Sequence, residues 1–144
     1  MCGIVGYTGK EQAAPVLLEG LSRLEYRGYD SAGICIAADS GLRVAKCKGR
    51  LQNLSDMTDG GKSLPGTTGV GHTRWATHGE PNDINSHPHL SQDGKFALVH
   101  NGIIENYQPL RYFLEENGVR FVSDTDSEVV AQLLEYFYKQ TGTV

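Results

Sequence analysis

The second residue of this chain is a cysteine, set in Met1-Cys2-Gly3-Ile4-Val5-Gly6. Cysteine is small enough for the initiator methionine to be removed ahead of it, and removal would place a thiol and a free α-amine on one residue. Their ordinary pKa values, about 8.5 and about 7.7 to 8.0, let that residue act as nucleophile and base together near neutral pH. Reactive groups concentrate again in Val70-Gly71-His72-Thr73-Arg74-Trp75-Ala76-Thr77-His78-Gly79, a strand-like segment crowded with polar, cationic and aromatic side chains. That density marks a site. Five histidines, His72, His78, His87, His89 and His100, raise the question of a metal, but no cysteine or glutamate spacing completes a ligand set. Histidines clustered in this way serve more commonly as hydrogen-bonded scaffolding for a loop. Gly60-Gly61-Lys62-Ser63 lacks the first glycine of a phosphate loop and no helical apolar period follows it, so a nucleotide site is rejected. Neither a metal nor an organic cofactor is expected.

The elements that must position these groups follow from periodicity and punctuation. Ile4 and Val5 between glycines read as a short buried strand that anchors Cys2. A helix opens at Pro15 and runs through Leu17, Leu21 and Leu24, with Val16, Leu18 and Tyr26 widening its apolar face. The loop Arg27 to Gly33 leads to a buried strand, Ile34 to Ala37, in which Cys35 is a small core hydrophobe. Asp39-Ser40-Gly41 carries hairpin chemistry into a strand from Leu42 to Lys48. Leu51 to Met57 reads as a short helix, and Glu80 to Gly94 as a long ordered excursion over the site. A strand is expected over Lys95 to His100, a helix from Glu105 to Asn117 with Leu110, Phe113 and Leu114 on its inner face, and a strand from Val119 to Val122. Thr125 with Glu128 has the spacing of a capping box, placing Asp126 in the first turn of a helix through Val129, Val130, Leu133, Leu134 and Phe137.

Bulk properties narrow the class. The chain has 144 residues, 39% hydrophobic and 21% charged, which suits one globular domain with a real core. No apolar run approaches the roughly 20 residues of a membrane span, and the start lacks the basic and apolar regions of a secretory signal. A net charge of -4 with scattered Lys and Arg offers no footprint for nucleic acid or anionic lipid, so a small ligand is favoured. Three cysteines, Cys2, Cys35 and Cys47, without metal-type spacing point to a reducing compartment, the cytoplasm by default.

Taken together, Cys2-Gly3-Ile4-Val5-Gly6, Arg27-Gly28-Tyr29-Asp30-Ser31-Ala32-Gly33, the Gly71 to Gly79 segment, His100-Asn101-Gly102 and Thr125-Asp126-Ser127-Glu128 resemble the class II glutamine amidotransferases, a family of N-terminal-nucleophile hydrolases. The motifs stand in the family's order over nearly the whole chain. Asn85-Ser86-His87-Pro88-His89 and Asn101-Gly102-Ile103-Ile104-Glu105-Asn106 are most similar to the amino-sugar-forming branch, the glucosamine-6-phosphate synthases. Amidophosphoribosyltransferases and asparagine synthetases match less of the wording. The resemblance implies an α+β fold, the αββα four-layer sandwich with mostly antiparallel sheets. It implies hydrolysis of L-glutamine to glutamate and ammonia through Cys2, with Asn101 and Gly102 as the oxyanion hole. Arg74 would take the substrate carboxylate and Asp126 its ammonium. Trp75, Thr77 and His78 would line the pocket, and Arg27 would hold the terminus.

The family's glutaminase domain continues past the length seen here, and its sugar-phosphate isomerase domains, which bind fructose 6-phosphate and take up the ammonia, have no counterpart in these residues. Residues 1–144 are therefore expected to be the front part of a glutaminase domain, incomplete at the C-terminus. Bare sheet edges in such a piece would favour pairing with a second copy as a homodimer. Two other readings stay open from sequence: a catalytically silent glutamine-binding or assembly fragment, and the glutaminase of another class II amidotransferase.

Overall fold

The computed structural model describes residues 2–25, 30–75 and 82–143. Four strands, β1 (Gly3–Thr8), β2 (Ser31–Ala38), β3 (Gly41–Lys48) and β4 (Thr68–Arg74), form an antiparallel sheet in the order β1-β4-β2-β3. The two-residue strands β5 (His89–Leu90) and β6 (Ala97–Leu98) pair as a second sheet. Helices α1 (Ala13–Leu24) and α2 (Leu51–Met57) cover one face of the large sheet, and α3 (Tyr107–Glu116) and α4 (Asp126–Thr141) lie beyond the small one. The layers thus run helix, sheet, sheet, helix, an α+β arrangement with antiparallel sheets.

Strand alternation sorts the large sheet into two unlike faces. Ala32, Ile34 and Ile36 of β2, with Val5, Tyr7, Ala45 and Cys47, point to α1 and α2 and meet Ala13, Ala14, Leu17, Leu18, Leu21, Leu51 and Leu54. Fully burying each of the large aliphatic side chains contributes about 1.5–3 kcal/mol, so this face holds the main core. Pro15 falls in the first turn of α1, where its missing N–H would have had no helical partner. Cys35 is buried as expected, and burial pushes its thiol up to about 11, which keeps it inert.

The opposite face is mixed, with Val44, Cys35 and Val70 in one row, and its polar end faces the site. Register places Lys46, Gly33, His72 and Ile4 in one row across the four strands. Gly33 leaves a notch in that row: a β-carbon there would run into the carbonyl oxygen of His87. The 82–90 segment settles into this notch, and Lys46 fastens it by donating to the carbonyls of Ile84, Ser86 and Pro88 at 3.1, 2.9 and 3.3 Å.

Several expectations are corrected. β1 is an edge strand and Ile4 is exposed, so the anchor of Cys2 comes from pairing with β4 and not from burial on both sides. The strand expected over 95–100 contracts to Ala97–Leu98. On α3 only Leu114 is buried, while Phe113 is exposed. Residues 119–122 form no strand, because side chains take their N–H groups: Gln92 Oε1 accepts from Arg120 and Glu128 Oε1 from Val122, at 2.7 and 3.0 Å. For the same reason the capping box does not close. Glu128 is engaged with Val122 and Ser123, and Thr125 with Ser123 and His89, although α4 starts where the pattern places it. The buried face of α4 is mixed: beside Val129 and Ala131, the polar Glu128, Gln132 and Glu135 receive backbone N–H groups of loops at 122–123 and 92–93, while Phe137, expected on the apolar face, is exposed.

Candidate active site

Between the polar end of this sheet face and the start of α4 lies a cavity of about 530 Å³, within the roughly 300–1,000 Å³ of small-molecule sites. Cys2, Arg74, Trp75, Asn101, Gly102 and Asp126 line it together with His72, His87, His100, Ile103, Thr125 and Ser127. Six of the nine residues singled out in the sequence therefore converge from positions as far apart as 2 and 126. Arg27, Thr77 and His78 lie outside the described residues.

Each group is held by an identifiable element. Cys2 sits at the start of β1, whose first N–H, that of Gly3, donates to Thr73 Oγ1 at 3.1 Å. The Cys2 sulfur accepts the Trp75 backbone N–H at 3.1 Å, which fixes the thiol against the end of β4. Arg74 ends β4 and is 3% exposed. Burial lowers its pKa while Asp30, Cys2 and Asp126 pull it back up, and arginine's ordinary value is high enough that it stays a cation. Asp126 occupies the first turn of α4, where the helix N-terminus favours an anion, and its Oδ2 accepts the Ile104 N–H at 2.6 Å. Asn101 Nδ2 donates to the Cys2 carbonyl at 3.0 Å, and its Oδ1 faces His72 Nε2 at 2.7 Å. Gly102 follows with φ 150°, a conformation that side chains avoid, so its type is set by the backbone.

Behind the cavity the histidines pack on one another. The rings of His72 and His87 stack with centroids 4.2 Å apart, and His89 meets His87 edge-on at 4.5 Å. Burial first, then the neighbouring rings and cations, pushes His72 down to about 4 and His89 to about 3, with His87 lower still. These rings are neutral at pH 7 and act as scaffolding. Among the described residues no group of three or more histidine, cysteine, aspartate or glutamate side chains is placed to hold a metal ion.

Sequence reasoning missed two parts of this support. Lys46 was not singled out within its strand, and only the 82–90 segment lying across β3 shows its part. The hydroxyl relay from Thr125 through Ser123 to Glu128 was hidden inside an apparent capping box. His72 carried a usable signal, since it stands two residues before Arg74 on one strand and must share its face.

The geometry supplies a thiol held by a backbone donor, a side-chain amide beside it, and a cation and an anion lining one cavity, the complement of an amide-bearing amino acid. The signature of the glutamine amidotransferase domain matches residues 55–143, more than half of the chain. Over 96% of its length the chain is 63% identical to a glutamine–fructose-6-phosphate aminotransferase (isomerizing) of Caldanaerobacter subterraneus subsp. tengcongensis and 60% identical to that of Clostridium tetani. It spans only 22% and 23% of those proteins. The fold is shared with a solved glutamine phosphoribosylpyrophosphate amidotransferase from B. subtilis, with a TM-score of 0.76 and 30% identity over 94% of this chain and 29% of that one. With the site, the signature and the fold in agreement, the chain belongs to the glutamine amidotransferase domain family.

Proposed function

We propose that this chain hydrolyses the side-chain amide of L-glutamine to glutamate and ammonia through a thioester on Cys2. The observation that carries the reading is the convergence of Cys2, Asn101, Gly102, Arg74 and Asp126 on one cavity. The α-amine of Cys2 takes the thiol proton, and the thiolate attacks the amide carbon and forms a C–S bond. The oxygen of the tetrahedral intermediate is met by the Asn101 side-chain amide and the Gly102 N–H; losing one such donor typically costs about 2.7–4 kcal/mol of barrier. The C–N bond breaks as the α-amine of Cys2, freed by loss of Met1, delivers a proton to the leaving ammonia. Water then cleaves the thioester. Arg74 forks onto the substrate carboxylate and Asp126 pairs with its ammonium. Trp75 walls the pocket, and Arg27, Thr77 and His78 take the roles the family motifs assign to them.

The ammonia is destined for a sugar-phosphate isomerase partner holding fructose 6-phosphate, in amino-sugar formation in the cytoplasm. The acceptor follows the names of the similar curated proteins, of which the chain spans about a quarter, and the compartment follows the three cysteines without metal-type spacing.

Intact mass before and after a glutamine-like electrophile, together with glutamate release, tests the mechanism. The active species should lack Met1 and gain one adduct on Cys2, and Cys2→Ala should lose hydrolysis while keeping glutamine binding. Full activity in protein that retains Met1 would sink the N-terminal nucleophile.

A further inference from the structure

We propose that His72 is a positioning residue for Asn101: its Nε2–H, acting with the Cys2 carbonyl, holds the Asn101 amide with its NH2 end toward Cys2, and so keeps an N–H available to the oxyanion. The inference rests on the reading of Asn101 as an oxyanion-hole donor. The logic is one of donors and acceptors. The Cys2 carbonyl only accepts, so the Asn101 NH2 group must face it, as it does at 3.0 Å. The amide oxygen is thereby turned to His72 Nε2, 2.7 Å away, and needs a hydrogen there. A flipped amide would set oxygen against oxygen at Cys2. A ring protonated on Nδ1 alone would set lone pair against lone pair at Asn101.

The protein has made the required tautomer the cheap one. His72 is 1% exposed, and its Nδ1 is buried with no hydrogen-bond partner. A bare buried lone pair is tolerated better than a bare buried N–H, so the proton belongs on Nε2. The face-to-face stack on His87 prevents the ring from rotating to exchange its nitrogens. Burial discourages a second proton, in keeping with the fall of the His72 pKa to about 4. An amide nitrogen carries two hydrogens. With one spent on the Cys2 carbonyl, the other is directed by the same plane, which His72 sets. The strand supplies the placement, since His72 and Arg74 lie two apart on the same face of β4.

Two measurements on the protein test this. Long-range nitrogen–proton NMR of histidine-labelled protein should show His72 as the neutral Nε2–H tautomer from pH 6 to 8, a finding independent of turnover; the Nδ1–H tautomer overturns the proposal. In glutamate release, His72→Leu should lower kcat about 10- to 100-fold, less than the roughly 10²–10³ of losing an oxyanion donor outright, with KM for glutamine little changed. His72→Gln, whose amide nitrogen reaches the place of Nε2, should recover most of that loss, and His72→Asn, too short to reach it, should not. Iodoacetamide alkylation of Cys2, a displacement without an oxyanion, should be unaffected in all three. Equal kcat in the Leu and Gln variants, or a loss confined to KM, refutes the positioning role. Wild-type protein with the Nε2–H tautomer and no glutamate release would sink the glutaminase reading while leaving the His72–Asn101 pairing established.

Discussion

Glu128→Gln is the substitution whose cost can be worked most directly from the structure. The Glu128 carboxylate accepts four hydrogen bonds: Val122 N–H at 3.0 Å and Gln132 Nε2 at 3.1 Å on Oε1, Ser123 N–H at 2.7 Å and Ser123 Oγ at 2.5 Å on Oε2. An amide presents one NH2 end, and either orientation aims it at a backbone N–H. One buried donor is then stranded, at about 1–3 kcal/mol, and each bond that remains loses its charge assistance, about 1 kcal/mol apiece. A neutral amide is cheaper to bury than a carboxylate, which offsets part of this, leaving a net loss of about 2–4 kcal/mol. That is a large share of the roughly 5–15 kcal/mol that stabilises a domain. With a urea dependence of about 2 kcal/mol per M, the midpoint of unfolding should fall by about 1–2 M. Because residues 122–124 lead straight into Thr125 and Asp126, KM for glutamine should rise as well. A midpoint shift below about 0.3 M, worth roughly 0.6 kcal/mol, would show that the 122–123 backbone does not depend on Glu128.

Arg74→Lys should raise KM for glutamine and weaken discrimination against analogues lacking the α-carboxylate, because a point charge cannot reproduce the guanidinium fork; steady-state kinetics with an unchanged KM would remove Arg74 from the clamp. Stability should fall on acidification below pH 6.5. His72 and His89 have folded pKa values of about 4 and about 3, below the ordinary 6.5, so the unfolded chain binds more protons in that window. Each should cost up to about 1.4 kcal/mol per pH unit, and urea midpoints that stay flat from pH 6.5 to 4.5 would contradict their burial as neutral rings.

Local chemistry determined a good deal by itself. The apolar spacing of Leu17 and Leu21, the two-residue turn at Asp39-Ser40 and the run from Leu51 to Met57 are short-range signals, and α1, the β2–β3 hairpin and α2 form where those signals lie. Cys2, Arg74, Trp75, Asn101, Gly102 and Asp126 were legible as a set through the resemblance of their motifs to the class II glutamine amidotransferases, which needs no distances. Tertiary structure decided what depends on partners far off in sequence. Residues 119–122 have the composition of a strand, yet Glu128 and Gln92 claim their N–H groups before another strand can. Thr125 and Glu128 have the spacing of a cap, yet each finds a stronger buried partner. α4 turns its polar stripe inward because loops at 92–93 and 122–123 need acceptors there. His72 and Lys46 acquire their roles only when the 82–90 segment and Asn101 close over one sheet face. A side chain's type is local, but the group that satisfies its hydrogen bonds is a property of the packed chain.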